Sequence, residues 1–136
     1  MSTLEELNER GIGTLPGLIG LTILEAEERK ISSRLDLRED LMAPNGYLHA
    51  ATVVALADTS CGYGTFVNLP EGAESFTTIE LKSNFVGTKR GGAIRCDAKL
   101  VHGGRTTQVW DATVSDEEGG KPIALFRCTQ MILYPR

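Results

Sequence analysis

The densest apolar stretch of the chain lies near its middle. From Ala50 to Ala57 only Thr52 is polar, and this run sits within Gly46 to Gly64, behind Pro44-Asn45-Gly46 and ahead of Gly62 and Gly64. A segment apolar around its whole circumference predicts a helix buried on every side. On both flanks the pattern changes to alternation with period two, which marks strands with one buried face. Ile19, Leu21 and Ile23 alternate, as do Ile31, Ser33, Leu35 and Leu37 beyond the charged turn Glu27-Glu28-Arg29-Lys30. After the central stretch, Thr77 to Val86 places Ile79, Leu81 and Phe85 on one face, and Ala93 to Val101 groups Ile94, Cys96, Ala98 and Leu100. Gly103-Gly104 signals a hairpin into Thr106 to Ser115, and the acidic loop Asp116 to Gly120 leads into a last strand over Pro122 to Tyr134.

At the amino end, Ser2 and Thr3 followed by Glu5 and Glu6 form a capping-box signature. It opens a short amphipathic helix that carries Leu4 and Leu7 and stops at Gly11. Gly13 to Gly20, with Pro16 inside it, reads as a loop. Glu39 to Asn45 reads as an irregular approach to the long helix, anchored by Leu41 and Met42, and Asn68 to Gly72 as the loop beyond it. No repeat, low-complexity segment or linker divides the chain, so residues 1–136 are expected to form one domain. The expected class is α+β: about six antiparallel strands in a curved sheet wrapped around a long central helix, with a short helix at the amino end. An open sheet leaves edges, and pairing of an edge between two copies would generate a symmetric dimer.

Charge and cysteine usage narrow the partners. Eighteen Asp and Glu against 14 Lys and Arg leave a net charge of −4, with no long run of one sign. Nucleic acid and anionic membrane surfaces are therefore not expected as main partners. The amino terminus is polar and acidic, and no stretch approaches the ~18 consecutive apolar residues of a membrane span, so a cytoplasmic location is expected. Cys61, Cys96 and Cys128 are widely spaced and form no CxxC, which speaks for buried thiols in a reducing compartment and against a disulfide framework or structural zinc. No metal-ligand spacing, phosphate-cradling glycine loop or serine elbow occurs, and no metal or organic cofactor is expected.

The chemistry-bearing side chains of the central stretch are His49 and Asp58, one toward each end. In a continuous helix nine residues rise about 13.5 Å with half a turn of net rotation, so the two groups point apart. A site using both ends of the helix needs a second copy of the chain. Asp58, on an otherwise apolar helix, is either a desolvated base or nucleophile or a buried acid satisfied by backbone donors. The free N–H groups at His49, Ala50 and Ala51, with the positive end of the helix dipole, form a place for a developing oxyanion, as the start of any helix does. Asn45-Gly46 permits a sharp turn there, and the small Ala50 and Ala51 let a ligand approach the backbone. His49 reads as a donor, an orienting group or a packed cap residue. Thr77 and Thr78 open the next strand, where one hydroxyl could orient a water or the carboxylate, or both could simply be strand formers. Lys89, Arg90 and Arg105 lie in loops able to meet a phosphorylated ligand, or are solvated surface charges. His102 shares a hairpin with Arg105, and Trp110 reads as core.

The order Asn45-Gly46-Tyr47-Leu48-His49-Ala50-Ala51, then Ala55-Leu56-Ala57-Asp58, then Thr78-Ile79-Glu80-Leu81, resembles the hotdog-fold acyl-CoA thioesterases of the phenylacetate-degradation and 4-hydroxybenzoyl-CoA thioesterase type. The resemblance covers roughly Ile19 to Tyr134, and its most specific part is G-x-x-H with an acidic residue nine positions on. It implies a hotdog fold, a dimer or a dimer of dimers, and active sites shared across the dimer interface. It implies hydrolysis of an aryl- or acyl-CoA thioester to the acid and CoA, with CoA entering only as part of the substrate. Asp58 matches the catalytic carboxylate, Ala50 the backbone donor to the thioester carbonyl from the opposite subunit, and Thr78 the position of a hydroxyl near the attacking water. Gly46 and His49 match the turn of the motif. Two departures stand out: His49-Ala50-Ala51 replaces the usual H-G-G, and Ala43 stands where many members carry Asn or Gln, with Asn45 the nearest amide. The alternatives on this fold are an acyl-CoA binding or sensing protein without turnover and, ranked lower, an enoyl- or hydroxyacyl-thioester hydratase or dehydratase.

Overall fold

The computed structural model describes residues 3–136. The first helix, α1, spans Thr3–Arg10 and buries Leu7, so the amphipathic reading of this segment holds; the Ser2 half of its capping signature lies outside the described residues. Gly13 to Gly20 is not a plain loop. Pro16 supplies an early-turn φ, and a one-turn helix, α2, forms over Leu15–Ile19, closed by Gly20 in the left-handed region at φ 82°.

Six strands follow in chain order: β1 Thr22–Glu27, β2 Lys30–Asp36, β3 Ser75–Phe85, β4 Ala93–Gly103, β5 Thr107–Asp116 and β6 Pro122–Leu133. Between β2 and β3 run a 3-10 turn over Glu39–Leu41 and the long helix α3, Ala50–Val67. All pairings are antiparallel, in the order β1-β2-β4-β5-β6-β3, which leaves β1 and β3 as the edges. α3 lies across the concave side and touches every strand. This is the hotdog arrangement.

Three features of the helix and its neighbours differ from the sequence pattern. Gly62 and Gly64 do not end the helix; both lie inside it, buried, and the chain runs on to Val67 before Asn68 caps it by donating to the Gly64 and Thr65 carbonyls. Each glycine is a point of close approach. A Cβ on Gly64 would sit 2.5 Å from the Trp110 ring, and one on Gly62 would sit 3.2 Å from Phe76. Nor is α3 buried all round within one chain. Val53, Leu56, Ala57, Ser60, Cys61 and Thr65 face the sheet, while Ala50 and Ala51 are exposed and Val54, Ala55 and Asp58 only half covered.

The third difference lies in β3. Its register against β6 slips between Thr78 and Glu80, so Ile79 is the extra residue of a β-bulge. Thr78 pairs with Gln130 and Leu81 with Cys128, both on the inner face. Strict alternation therefore fails here: Leu81 and Phe85 share the concave side with Thr78, and Ile79 does not belong to that row. Leu81 and Phe85 nevertheless stay 41% and 47% exposed within one chain.

The Gly64 contact generates a quantitative expectation. Gly64→Ala gains up to ~1 kcal/mol of helix propensity but drives a methyl into a buried indole, and such overpacking costs typically ~1–3 kcal/mol. Urea unfolding is expected to show a net loss for Gly64→Ala and a smaller loss or a gain for Gly62→Ala, whose neighbour is the movable edge of Phe76.

Candidate active site

Two places on α3 carry the chemistry. At its start, His49 is the N-cap residue, with φ −72° and ψ 133°, and its Nδ1 accepts the Ala51 N–H at 2.9 Å. An acceptor Nδ1 is unprotonated, so the neutral ring carries its hydrogen on Nε2. The Thr52 and Val53 N–H groups both turn back to the His49 carbonyl. The N–H of Ala50 has no hydrogen-bond partner among the described residues. The imidazole thus occupies one of the orphan donors of the helix start and leaves Ala50 available. Gly46, at φ 87°, turns the chain into the helix, and Asn45 Oδ1 accepts the Tyr47 N–H at 3.1 Å. The oxygen of the Asn45 amide is therefore engaged in this local turn.

Nine residues on, Asp58 sits half buried where α3 meets β3 and β6. Thr78 Oγ1 lies 3.1 Å from Asp58 Oδ1 and 2.8 Å from the amide oxygen of Gln130. Of the two threonines that open β3, Thr78 points inward and Thr77 outward, because the bulge begins after Thr78. Burial pushes the Asp58 carboxyl above the ordinary aspartate range, and the hydrogen bond from Thr78 offsets this only in part. No ion pair reaches Asp58 among the described residues.

The loop cations separate. Lys89 is ion-paired with Asp116 and largely covered, so its charge is already matched within the chain. Arg90 is exposed, stacks over the Tyr47 ring at 4.3 Å, and borders a cleft of about 480 Å³ with Leu37, Met42, Ala43 and Gly46. Arg105 stacks on Tyr134 at 5.1 Å and lines a different cleft near Asn68, at the far end of α3. One chain therefore does not bring Arg90 and Arg105 together, just as it does not bring Ala50 to Asp58.

Gln130 was not singled out by sequence reasoning. Its signal is a polar residue in the buried row Ala124, Phe126, Cys128, Gln130 and Ile132 of β6, where alternation calls for an apolar side chain. Cys61, Cys96 and Cys128 are free and buried; burial pushes the Cys96 thiol up to about 12. Among the described residues no cluster of three His, Cys, Asp or Glu side chains is placed to hold a metal, and no helix is long and apolar enough to cross a membrane.

A hotdog sheet around a helix, with one half-buried carboxylate beside a threonine hydroxyl, is an arrangement that a thioester hydrolase can use. Residues 45–123 match the Thioesterase superfamily, and the chain belongs to that family. It is similar to a 1,4-dihydroxy-2-naphthoyl-CoA hydrolase of Listeria monocytogenes, at 32% identity over 82% of this chain and 89% of that one. Among solved structures it resembles a thioesterase variant from Pseudomonas aeruginosa at 25% identity and a TM-score of 0.91, covering 97% of this chain and 94% of that one. A thioesterase from Haemophilus influenzae is alike at 27% identity and a TM-score of 0.91, covering 98% and 92%. The chain is accordingly a thioester hydrolase.

The raised pKa of Asp58 has a consequence for stability. The folded chain holds this proton more tightly than the unfolded chain, so the group favours folding below its unfolded pKa, and that contribution is lost as pH rises through the folded value. At pH 8 the ionised carboxylate is a burden on the fold. Asp58→Asn is expected to raise the Tm at pH 8, with the gain shrinking as pH falls toward the ordinary aspartate pKa of ~3.9; calorimetry across that range checks it.

Proposed function

We propose that the chain hydrolyses an aryl- or acyl-CoA thioester to the free acid and CoA, at a site shared by two copies of the chain. The observation that carries this reading is the hydrogen bond from Thr78 to a half-buried Asp58 that has no cationic partner among the described residues. Such a carboxylate is held in place yet keeps its basicity. Ionised Asp58 takes a proton from water as that water attacks the thioester carbonyl, or attacks the carbonyl itself to give an anhydride that water then opens. In both courses the C–S bond breaks, CoA leaves as the thiol and one water is consumed. The oxyanion is held by the free N–H of Ala50 of the second copy, at the positive end of its helix, a donor of a kind worth ~10²–10³ in kcat. His49 keeps that helix start in shape by capping Ala51.

The second copy is needed because α3 is continuous from Ala50 to Val67, which holds Ala50 and Asp58 of one chain roughly two helical turns apart. The β3 edge is the place for it: one side of β3 is unpaired, and Leu81 and Phe85 stand uncovered on its inner face. The cleft beside Gly46 and Met42, with Arg90 at its rim, suits the CoA phosphates, and Asn45 shapes its approach. The name of the Listeria relative puts aryl-CoA esters first on a substrate panel. The three free thiols fit a reducing cytoplasm.

Thiol release from aryl-CoA and fatty acyl-CoA esters tests the reading. Asp58→Asn is expected to lower kcat by ~10²–10⁴-fold, the usual contribution of a general base, in a protein that stays folded. Undiminished turnover would sink the assignment, and stabilisation by CoA esters without any cleavage would replace it with a binding protein.

Sharing of the site has its own test. Ala50→Pro removes the donor at the first helical position, where proline is tolerated, and His49 already has the extended backbone that a following proline requires. Each single variant is expected to be nearly inactive. Equal mixing with exchange of subunits makes half of the dimers mixed, each with one of two sites intact, and so restores about a quarter of wild-type activity. Sites contained within one chain would show no rescue.

A further inference from the structure

Asp58, Thr78 and Gln130 form a line of polar atoms running from α3 into the sheet. One hydroxyl, Thr78 Oγ1, stands between two oxygens, Asp58 Oδ1 at 3.1 Å and Gln130 Oε1 at 2.8 Å. A threonine hydroxyl has one hydrogen to give. A carboxylate oxygen and an amide oxygen both only accept, so with Asp58 ionised one of these two contacts has no hydrogen in it. Two arrangements resolve this. If Asp58 is protonated it donates to Thr78, and Thr78 donates to Gln130 Oε1. If Asp58 is ionised, a half turn of the terminal amide of Gln130 brings its NH2 to Thr78, and the Thr78 hydrogen goes to Asp58.

The surroundings of Gln130 accept both orientations. Its side chain is fully buried, and the other end of its amide lies 3.6 Å from Cys128 Sγ. A thiol is both a weak acceptor and a weak donor, so it can take the amide hydrogen in the first arrangement and give its own in the second. Rotation about the last side-chain bond exchanges oxygen and nitrogen with no movement of the backbone.

We propose that Gln130 is a positioning residue: its amide N–H donates to Thr78 Oγ1 and so commits the Thr78 hydrogen to the ionised Asp58, and the amide turns over when Asp58 takes up a proton. This rests on Asp58 being the reactive carboxylate. A donor behind Thr78 stabilises the charged form of Asp58 without adding a cation that would suppress its basicity, and a hydrogen-bonded chain polarises along its length. The groups facing Asp58 are few. Thr78 reaches it from β3, with Gln130 and then Cys128 behind on β6, and Cys61 lies near it on α3. The Cys61 thiol is pushed well up, first by its hydrogen bond with Cys128 and then by burial, so it stays neutral where Asp58 titrates.

The test is the titration of Asp58 itself, followed by carbon-13 NMR of its carboxyl in the substrate-free protein beside the pH profile of kcat/KM. In wild type, the Gln130 side-chain nitrogen-15 resonances are expected to shift with the midpoint of Asp58. Gln130→Met keeps the volume but removes the donor, and Gln130→Asn withdraws the amide by one methylene. Each is expected to move the Asp58 midpoint and the acid limb of kcat/KM up by about one unit, a tenfold fall in rate at a fixed pH on that limb. Adding Thr78→Val to Gln130→Met is expected to give no larger shift than Thr78→Val alone, because both act through one hydrogen. A wild-type Gln130 amide blind to the titration of Asp58, or a folded Gln130 variant with an unmoved Asp58 midpoint, overturns the proposal. The NMR readouts do not depend on turnover. If Asp58→Asn remains fully active the catalytic reading fails, whereas an unmoved midpoint in a protein that needs Asp58 faults Gln130 alone.

Discussion

The depth to which α3 sinks into the sheet is the constraint on which the rest of the molecule depends. An 18-residue helix cannot approach a sheet this closely with ordinary side chains along its whole inner face. Gly62 and Gly64 clear the way for Phe76 and for the indole of Trp110, whose Nε1 donates to Gln108, itself buried and anchored to the Asn68 carbonyl at the cap of the helix. The same depth sets the polar contacts near the other end of the helix, where Thr52 donates to the Leu41 carbonyl and ties the approach segment to the first turn. Between these anchors Asp58 has little room to shift along the helix axis, and its distance to Thr78 follows from packing that involves neither residue.

The electrostatic character of Asp58 stands out against the other carboxylates. Arg34 holds Asp36 and Glu117 below the ordinary range, Arg127 does so for Asp111, and Lys89 for Asp116. Apart from the largely covered Lys89–Asp116 pair, these lie toward the surface, where the net worth of an ion pair to stability is small. Asp58 has the reverse treatment, with burial as its largest influence and, among the described residues, the neutral Thr78 hydroxyl as its support. A cation within hydrogen-bonding distance would have held it in place more firmly, and would also have made it a poorer base. Positioning by a hydroxyl and an amide separates orientation from basicity, which is what attack on a thioester carbonyl needs near neutral pH.

Much of this was legible in the chain. The change from an unbroken apolar run to period-two alternation fixed one helix against several strands, and five of the six strands run over nearly the residues that alternation and turn signals mark, β1 alone starting later than the Ile19 the alternation points to. His49, Ala50 and Asp58 stand on α3 where their spacing put them. What was hidden was set by contacts distant in sequence. Gly62 and Gly64 read as punctuation, since nothing local shows that Trp110 and Phe76 press on them. The bulge at Ile79 is invisible to strict alternation, which put Ile79 with Leu81 when Thr78 is the residue that shares that face. Gln130 gave a signal, one polar side chain in an apolar row, but its meaning needs Thr78 beside it across the strand pair.

The helix that creates the site also divides it. A straight α3 carries its unpartnered donor, the Ala50 N–H, at one end and its carboxylate eight residues and about two turns further along, so no rotamer change within a chain can unite them. Shortening the helix would bring them together at the cost of the packing that holds Asp58 against Thr78. A symmetric pair resolves the conflict, because a two-fold axis lets each helix offer its start to the other's carboxylate without altering either. The exposed half of α3 and the uncovered Leu81 and Phe85 on the β3 edge are the surfaces such a pair would bury. In such a pair assembly would be part of the chemistry: the same apolar face that favours association would remove water from Asp58 and strengthen the pull of the Ala50 N–H on a developing oxyanion.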